Sequence, residues 1–124
     1  MSTQQEGPLS EAQMPLTPAM FNVLLVLADS DKHGYAVLKE VAAQTSGEVQ
    51  LSTGTLYGII KRLLSDGLIE EVRRRPSIEN DDQRRRYYHL TGAGREVALA
   101  EAQRMEKLVA RARTKQLFQA LKPV

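Results

Sequence analysis

Apolar residues fall into four blocks of helical period, with two short strand-like runs ahead of the last. Residues 19–28 are apolar at nearly every position, which predicts a buried helix, and Thr17-Pro18 supplies an N-cap followed by proline at the first helical position. Asp29-Ser30-Asp31 breaks that run. A second helix is predicted from Gly34 to Gln44, with Tyr35, Leu38, Val41 and Ala42 on one face, and Ser46-Gly47 ends it. Val49-Gln50-Leu51 alternates and reads as a minimal strand. Ser52 then caps a third helix in which Leu56, Ile59, Ile60, Leu63 and Leu64 recur at helical spacing, and Asp66-Gly67 closes it. The runs 68–75 and 83–90, joined by the polar segment 76–82, predict a hairpin. Thr91 caps a last helix over about 94–120.

This order predicts a mainly α fold with a small β-hairpin, a winged helix-turn-helix followed by a long C-terminal helix. Residues 1–15 are polar and hold few large apolar groups, so a disordered arm is expected there. Residues 16–91 form the winged unit and 92–124 the C-terminal helix. On that helix Ala98, Ala102, Met105, Val109 and Ala112 recur by fours and threes, with Leu108 beside them, a narrow stripe of coiled-coil character that needs a partner. Leu117, Phe118 and Leu121 extend it. The stripe predicts a dimerisation helix that also folds back on the first helix of its own chain.

With 124 residues the chain fits one core. Seventeen Lys and Arg against fifteen Asp and Glu leave a net charge of only +2, so the placement of charge matters more than its sum. On the third helix the side opposite the apolar stripe carries Gly54, Gly58, Lys61, Arg62 and Ser65, with Tyr57 on the flank. A glycine inside a helix costs about 1 kcal/mol relative to alanine. Two of them, four residues apart on one exposed side, call for close approach by something outside the helix. Ser52, Thr53 and Thr55 add hydroxyl and backbone donors at the helix start, suited to phosphate oxygens. The hairpin arms carry Arg73, Arg74, Arg75 and Arg84, Arg85, Arg86, which repel one another unless water or a polyanion lies between. Double-stranded DNA is the partner that both features fit.

Other chemistries find little support. There is no cysteine, and His33 and His89 lie far apart in the chain without a serine and acid arranged around them. The glycines at 54 and 58 precede no Gly-Lys-Ser/Thr phosphate loop. No cofactor, metal or catalytic role is therefore expected. The polar start offers no secretion signal and no stretch reaches the roughly 18 to 20 apolar residues of a membrane span, so a cytoplasmic protein without membrane contact is expected.

The motifs His33-Gly34-Tyr35, Gly54-Thr55-Leu56-Tyr57, Arg62-Leu63 with Gly67-Leu68-Ile69, and Arg86-Tyr87-Tyr88-His89-Leu90-Thr91 with Gly94-Arg95 together resemble the PadR-type transcriptional regulators, over about residues 16–122. Similar proteins commonly have proline where this chain has Gly58. The resemblance implies a homodimeric winged-helix repressor of the smaller branch, its third helix in the major groove, its C-terminal helix in the dimer, and a small-molecule effector at the dimer interface. Two rivals stand beside it. A winged-helix protein-interaction module would show an apolar or acidic outer face on the third helix. A MarR-type dimer would usually carry a longer N-terminal helix than residues 1–15 could form.

Overall fold

The computed structural model describes residues 16–73 and 86–121. The arm 1–15 and the hairpin tip 74–85, with Arg74, Arg75, Arg84 and Arg85, lie outside the described residues. Element order is α1 (Pro18–Val26), β1 (Lys32–His33), α2 (Gly34–Gln44), α3 (Thr53–Ser65), β2 (Ile69–Val72), β3 (Tyr87–Leu90), α4 (Gly92–Thr114) and a closing 3-10 turn (Phe118–Leu121). Three helices, a two-stranded wing and a long final helix make the winged helix-turn-helix that the sequence predicts.

Each helix starts on a side-chain cap. The Oγ1 of Thr17 accepts from Met20 N–H in α1, Ser52 Oγ from Thr55 N–H in α3, and Thr91 Oγ1 from Gly94 N–H in α4. The α2 cap is His33, whose Nδ1 accepts from Ala36 N–H at 3.2 Å. The core joins α1 (Val23, Leu24), α2 (Val37, Val41), α3 (Leu56, Ile60, Leu63), the wing (Leu68, Ile69, Tyr88, Leu90) and Val97 of α4.

The sheet differs from the expected hairpin. It has three antiparallel strands in the order β1-β3-β2, with Lys32 opposite Tyr88 and Ile69 opposite Leu90. The third strand is Lys32–His33 rather than residues 49–51. Val49 instead donates its N–H to Thr45 Oγ1, which turns the chain toward α3. The wing strands are four residues each, shorter than the runs 68–75 and 83–90. On α2 the inward face is Gly34, Val37 and Val41. Tyr35, expected on the buried face, is 60% exposed.

Lys32 is itself buried. Its ammonium donates to Val26 O at 2.8 Å, to Asp29 Oδ1 at 2.6 Å and to Ser30 Oγ at 3.0 Å. It thereby satisfies a carbonyl at the α1 C-terminus, where a cation is also favoured by the helix dipole. Arg95 of α4 reaches the same end, donating to Ala28 O at 2.9 Å.

The 23 residues of α4 span about 35 Å at 1.5 Å per residue. Its inward side is Gly94, Val97 and Glu101; beyond Glu101 the helix runs free of the core. It ends at Thr114 rather than near 120, because Leu117 N–H donates back to Ala112 O across Gln116, which holds φ 64°. A glutamine in that left-handed position carries no glycine signal in the sequence.

Glu101 is the one acidic residue on the inward side of α4, its side chain 4% exposed, and Arg104 Nε donates to its Oε1 at 3.0 Å. That hydrogen bond holds the carboxyl below its ordinary value, against burial, which pushes it up. A lowered folded-state value means a stability contribution that is present above the ordinary 4.5 and lost as pH falls through the lower folded value. Urea melts between about pH 6 and 3 should therefore show the wild-type chain losing stability more steeply than Glu101→Gln. Parallel curves would mean that the pair contributes nothing to the acid limb.

Candidate nucleic-acid interface

The start and outer face of α3 gather most of the residues singled out in the sequence. Leu56, Ile60 and Leu63, spaced by four and three, are buried and fix the rotation of the helix. Thr53, Gly54, Thr55, Gly58, Lys61, Arg62 and Ser65 are consequently exposed. Among the described residues no atom lies within 4 Å of where a Cβ on Gly54 or Gly58 would sit, outside the helix's own backbone and the chain neighbours. The fold therefore gains no packing from the missing side chains, and the helix presents bare backbone to whatever meets it.

Not all of the expected donors are open. The N–H of Thr55 is held by Ser52 Oγ at 3.1 Å, and the Ser52 and Thr55 hydroxyls lie 3.0 Å apart. The N–H groups of Thr53 and Gly54, in the first turn, have no partner within the helix by its geometry. They point out of the α3 N-terminus, where the dipole favours an anion. Arg62 is tethered rather than extended, its Nε donating to Asp66 Oδ2 at 3.1 Å one turn on. Lys61 is exposed and makes no ion pair among the described residues, so its charge on this face is not offset by a carboxylate there.

Tyr57 is both a packing residue and a surface residue. A Cβ built on Gly34 would fall 2.2 Å from the Tyr57 hydroxyl oxygen and 2.8 Å from Cζ. With the ring in this position glycine is what fits at the start of α2, and Tyr57 seats α3 against α2. The ring is nonetheless 45% exposed. Its hydroxyl also lies near enough to Tyr88 to help burial push that phenol's pKa up.

The wing flanks this face. Tyr87 meets His33 edge to face, ring centroids 5.4 Å apart. Arg86, the last described residue before β3, is exposed and lies 3.4 Å from Glu71 of β2. Arg73 is likewise exposed at the far end of β2. The remaining hairpin arginines named above lie outside the described residues. His89, on the same face of β3 as Tyr87, pairs with Asp31 at 2.7 Å. Sequence reading placed Tyr35 on the buried face of α2 and did not single out Lys39; both are exposed, Tyr35 two residues after the His33 cap.

Of the expected dimer residues Ala98 packs against the protomer's own core, and the others lie on and beyond the free part of α4. Ala98, Met105 and Ala112 are half-buried, and Ala102, Leu108, Val109, Leu117 and Phe118 are exposed. The Arg113 guanidinium sits 4.5 Å over the Phe118 ring. Among the described residues no group of three His, Asp or Glu side chains is placed to hold a metal ion, and no helix is long and apolar enough to cross a membrane.

Comparison with known proteins gives a family match and a set of folds. Residues 23–100 match the transcriptional regulator PadR-like family. A 37.1 kDa protein in transposon TN4556 of Streptomyces fradiae is 39% identical over 98 residues, covering 79% of this chain, and the chain spans 26% of that protein's length. The crystal structure of a PadR family transcription regulator from Clostridium difficile superposes with TM-score 0.67 at 23% identity, covering 81% of this chain and 99% of that one. Bacillus subtilis PadR in complex with operator DNA gives TM-score 0.59 at 16% identity, over 71% of this chain and 48% of that one.

Because Gly58 is helical and its surroundings are empty, Gly58→Ala should stabilise the isolated protein by about 1 kcal/mol. Thermal melting checks this, and a lower melting temperature would show that the fold itself requires the glycine.

Proposed function

The chain belongs to the PadR-like family of transcriptional regulators, and from that membership we propose that it acts as a repressor, binding a palindromic operator in double-stranded DNA as a homodimer. The observation that carries this reading is the outer face of α3, where Gly54 and Gly58 leave open backbone beside the Lys61 ammonium and the free N–H groups of the first turn. A helix this slim can lie deep in a major groove, the groove whose base edges distinguish all four pairs. Phosphate oxygens meet the α3 N-terminus and the arginines of the wing.

The dimer follows from α4. Leu108 and Val109, 53% and 43% exposed, continue a stripe whose first residue, Ala98, packs on the protomer's own core. A second copy covers that stripe, with Leu117 and Phe118 at its end. A two-fold dimer places its two α3 helices about 34 to 36 Å apart, one turn of DNA. A small-molecule effector that releases the operator belongs at this interface, where it changes the spacing of the two reading helices.

Titration of the protein onto a duplex from its own promoter region should give an affinity that falls steeply with salt, log K changing by about 0.9 per phosphate contact for each unit of log salt. A scrambled duplex should bind far more weakly. A flat salt response with equal affinity for both duplexes would favour a protein-interaction module instead. Gly58→Ala, stable as it is, should bind the operator less well because its methyl holds the DNA off.

Leu108→Glu combined with Val109→Glu should yield a folded monomer in sedimentation, since both side chains are exposed in the protomer. An unchanged dimer mass would remove this stripe from the interface.

A further inference from the structure

The cap of α2 is an imidazole, and a proton can take it away. His33 Nδ1 stands 3.2 Å from the Ala36 nitrogen, and a backbone N–H only donates, so Nδ1 keeps its lone pair there. The usual cap residues, serine, threonine, asparagine and aspartate, accept through oxygens. Histidine is the side chain whose ordinary titration, at about 6.5, falls close to neutrality. A proton on Nδ1 turns the acceptor into a donor facing another donor, and it sets a cation at the positive end of the helix dipole. The first turn of α2 includes no acidic residue to offset that charge.

What the cap holds is the part of α2 on which α3 sits. Gly34, the next residue, lies directly under the Tyr57 ring, and Val37 is buried in the core. A first turn released from its cap therefore loosens the seat of Tyr57.

The groups around His33 come from three elements. Across the sheet it faces Tyr87, ring centroids 5.4 Å apart. Residues two along a strand share a side, so the same side of the sheet also holds His89, bonded to Asp31 at 2.7 Å, and Glu70 opposite His89. The reading helix contributes Tyr57, and α2 contributes Tyr35 with Lys39 beside its ring. Lys32 precedes His33 in β1 and is turned to the other side, its ammonium bound at the end of α1.

We infer that His33 is a pH-sensitive latch: neutral, it holds the first turn of α2 and the seat of Tyr57; protonated, it releases both, and operator binding weakens in acid. The effect on DNA rests on the reading of α3 given above, whereas the latch itself belongs to the free protein. Nδ1 excludes the proton while the cap is made and takes it up when the cap opens. The capped form thus binds fewer protons, and its advantage is full above the imidazole range and is lost as pH falls through it.

The chain has two histidines, and variants of the full-length protein separate them. Amide exchange, corrected for the intrinsic rate, should show protection of Ala36 N–H falling by about two- to tenfold from pH 7.5 to 5.5. That fall should persist in His89→Gln and vanish in His33→Asn, whose side-chain oxygen caps without titrating. Affinity for a duplex from its own promoter region, taken relative to His33→Asn at the same pH and salt, should fall by about two- to fivefold. The same pH dependence in wild type and His33→Asn overturns the inference, as does a dependence that His89→Gln removes. Should asparagine fail to fold at this position, His33→Ser makes the same comparison. A wild-type protein that loses Ala36 protection in acid, yet binds neither its promoter duplex nor a scrambled one, refutes the DNA-binding reading and leaves the latch standing.

Discussion

Where α3 ends and α4 begins, the chain is held to itself by a set of bonds with no slack. Gly67, at φ 76°, turns the chain out of α3, and Leu68 N–H donates back to Leu63 O. Thr91 then does three things at once. Its N–H donates to Leu68 O at 3.1 Å, its hydroxyl donates to Gly67 O at 2.7 Å, and its Oγ1 accepts from Gly94 N–H at 3.0 Å as the α4 cap. Gly94 packs so close that a Cβ there would fall 2.0 Å from the Leu68 carbonyl oxygen. Backbone cannot give way by that amount, so the contact admits glycine only. The hairpin leaves and returns at this point, and the direction of α4 is set relative to α3.

The consequence is mechanical. α3 is also seated on α2 through Tyr57 and Gly34, and α4 is tied to the end of α1 through Arg95. Two helices with different tasks, one facing outward with open glycines and one extending past the core, thus belong to one packed body. Interiors packed this closely shift as units rather than bend. A displacement of the first turns of α4 therefore carries α3 with it.

Much of this was legible from local rules. Both ends of α3 follow from Ser52 and Gly67, because an N-cap hydroxyl and a left-handed glycine are signals that single residues carry. The basic, slim face of α3 followed from periodicity alone. The rest depended on contacts that no local pattern encodes. Lys32–His33 is a strand only because β3 offers an edge, and two polar residues have no period to detect. Tyr35 was placed inward because aromatic residues usually bury, yet Val37 fills that space and the ring is left in solvent. The end of α4 hid behind Gln116, a residue that seldom adopts positive φ. His33 as the α2 cap escaped notice because the usual cap residues are serine, threonine, aspartate and asparagine.

The division of α4 at Glu101 carries the last step. Up to that residue the inward side of the helix is committed to the chain's own core through Gly94 and Val97, and Glu101 is buried with Arg104 as its partner. After it, Leu108 and Val109 have no cover within the protomer. The two residues stand one turn apart on the same helix, so the carboxylate keeps its partner wherever α4 moves. The residues that hold α4 to its own domain thus precede Leu108 and Val109. What the core fixes in α4 ends near Glu101, while the junction at Thr91 and Gly94 sets the direction in which the rest of the helix leaves the winged unit.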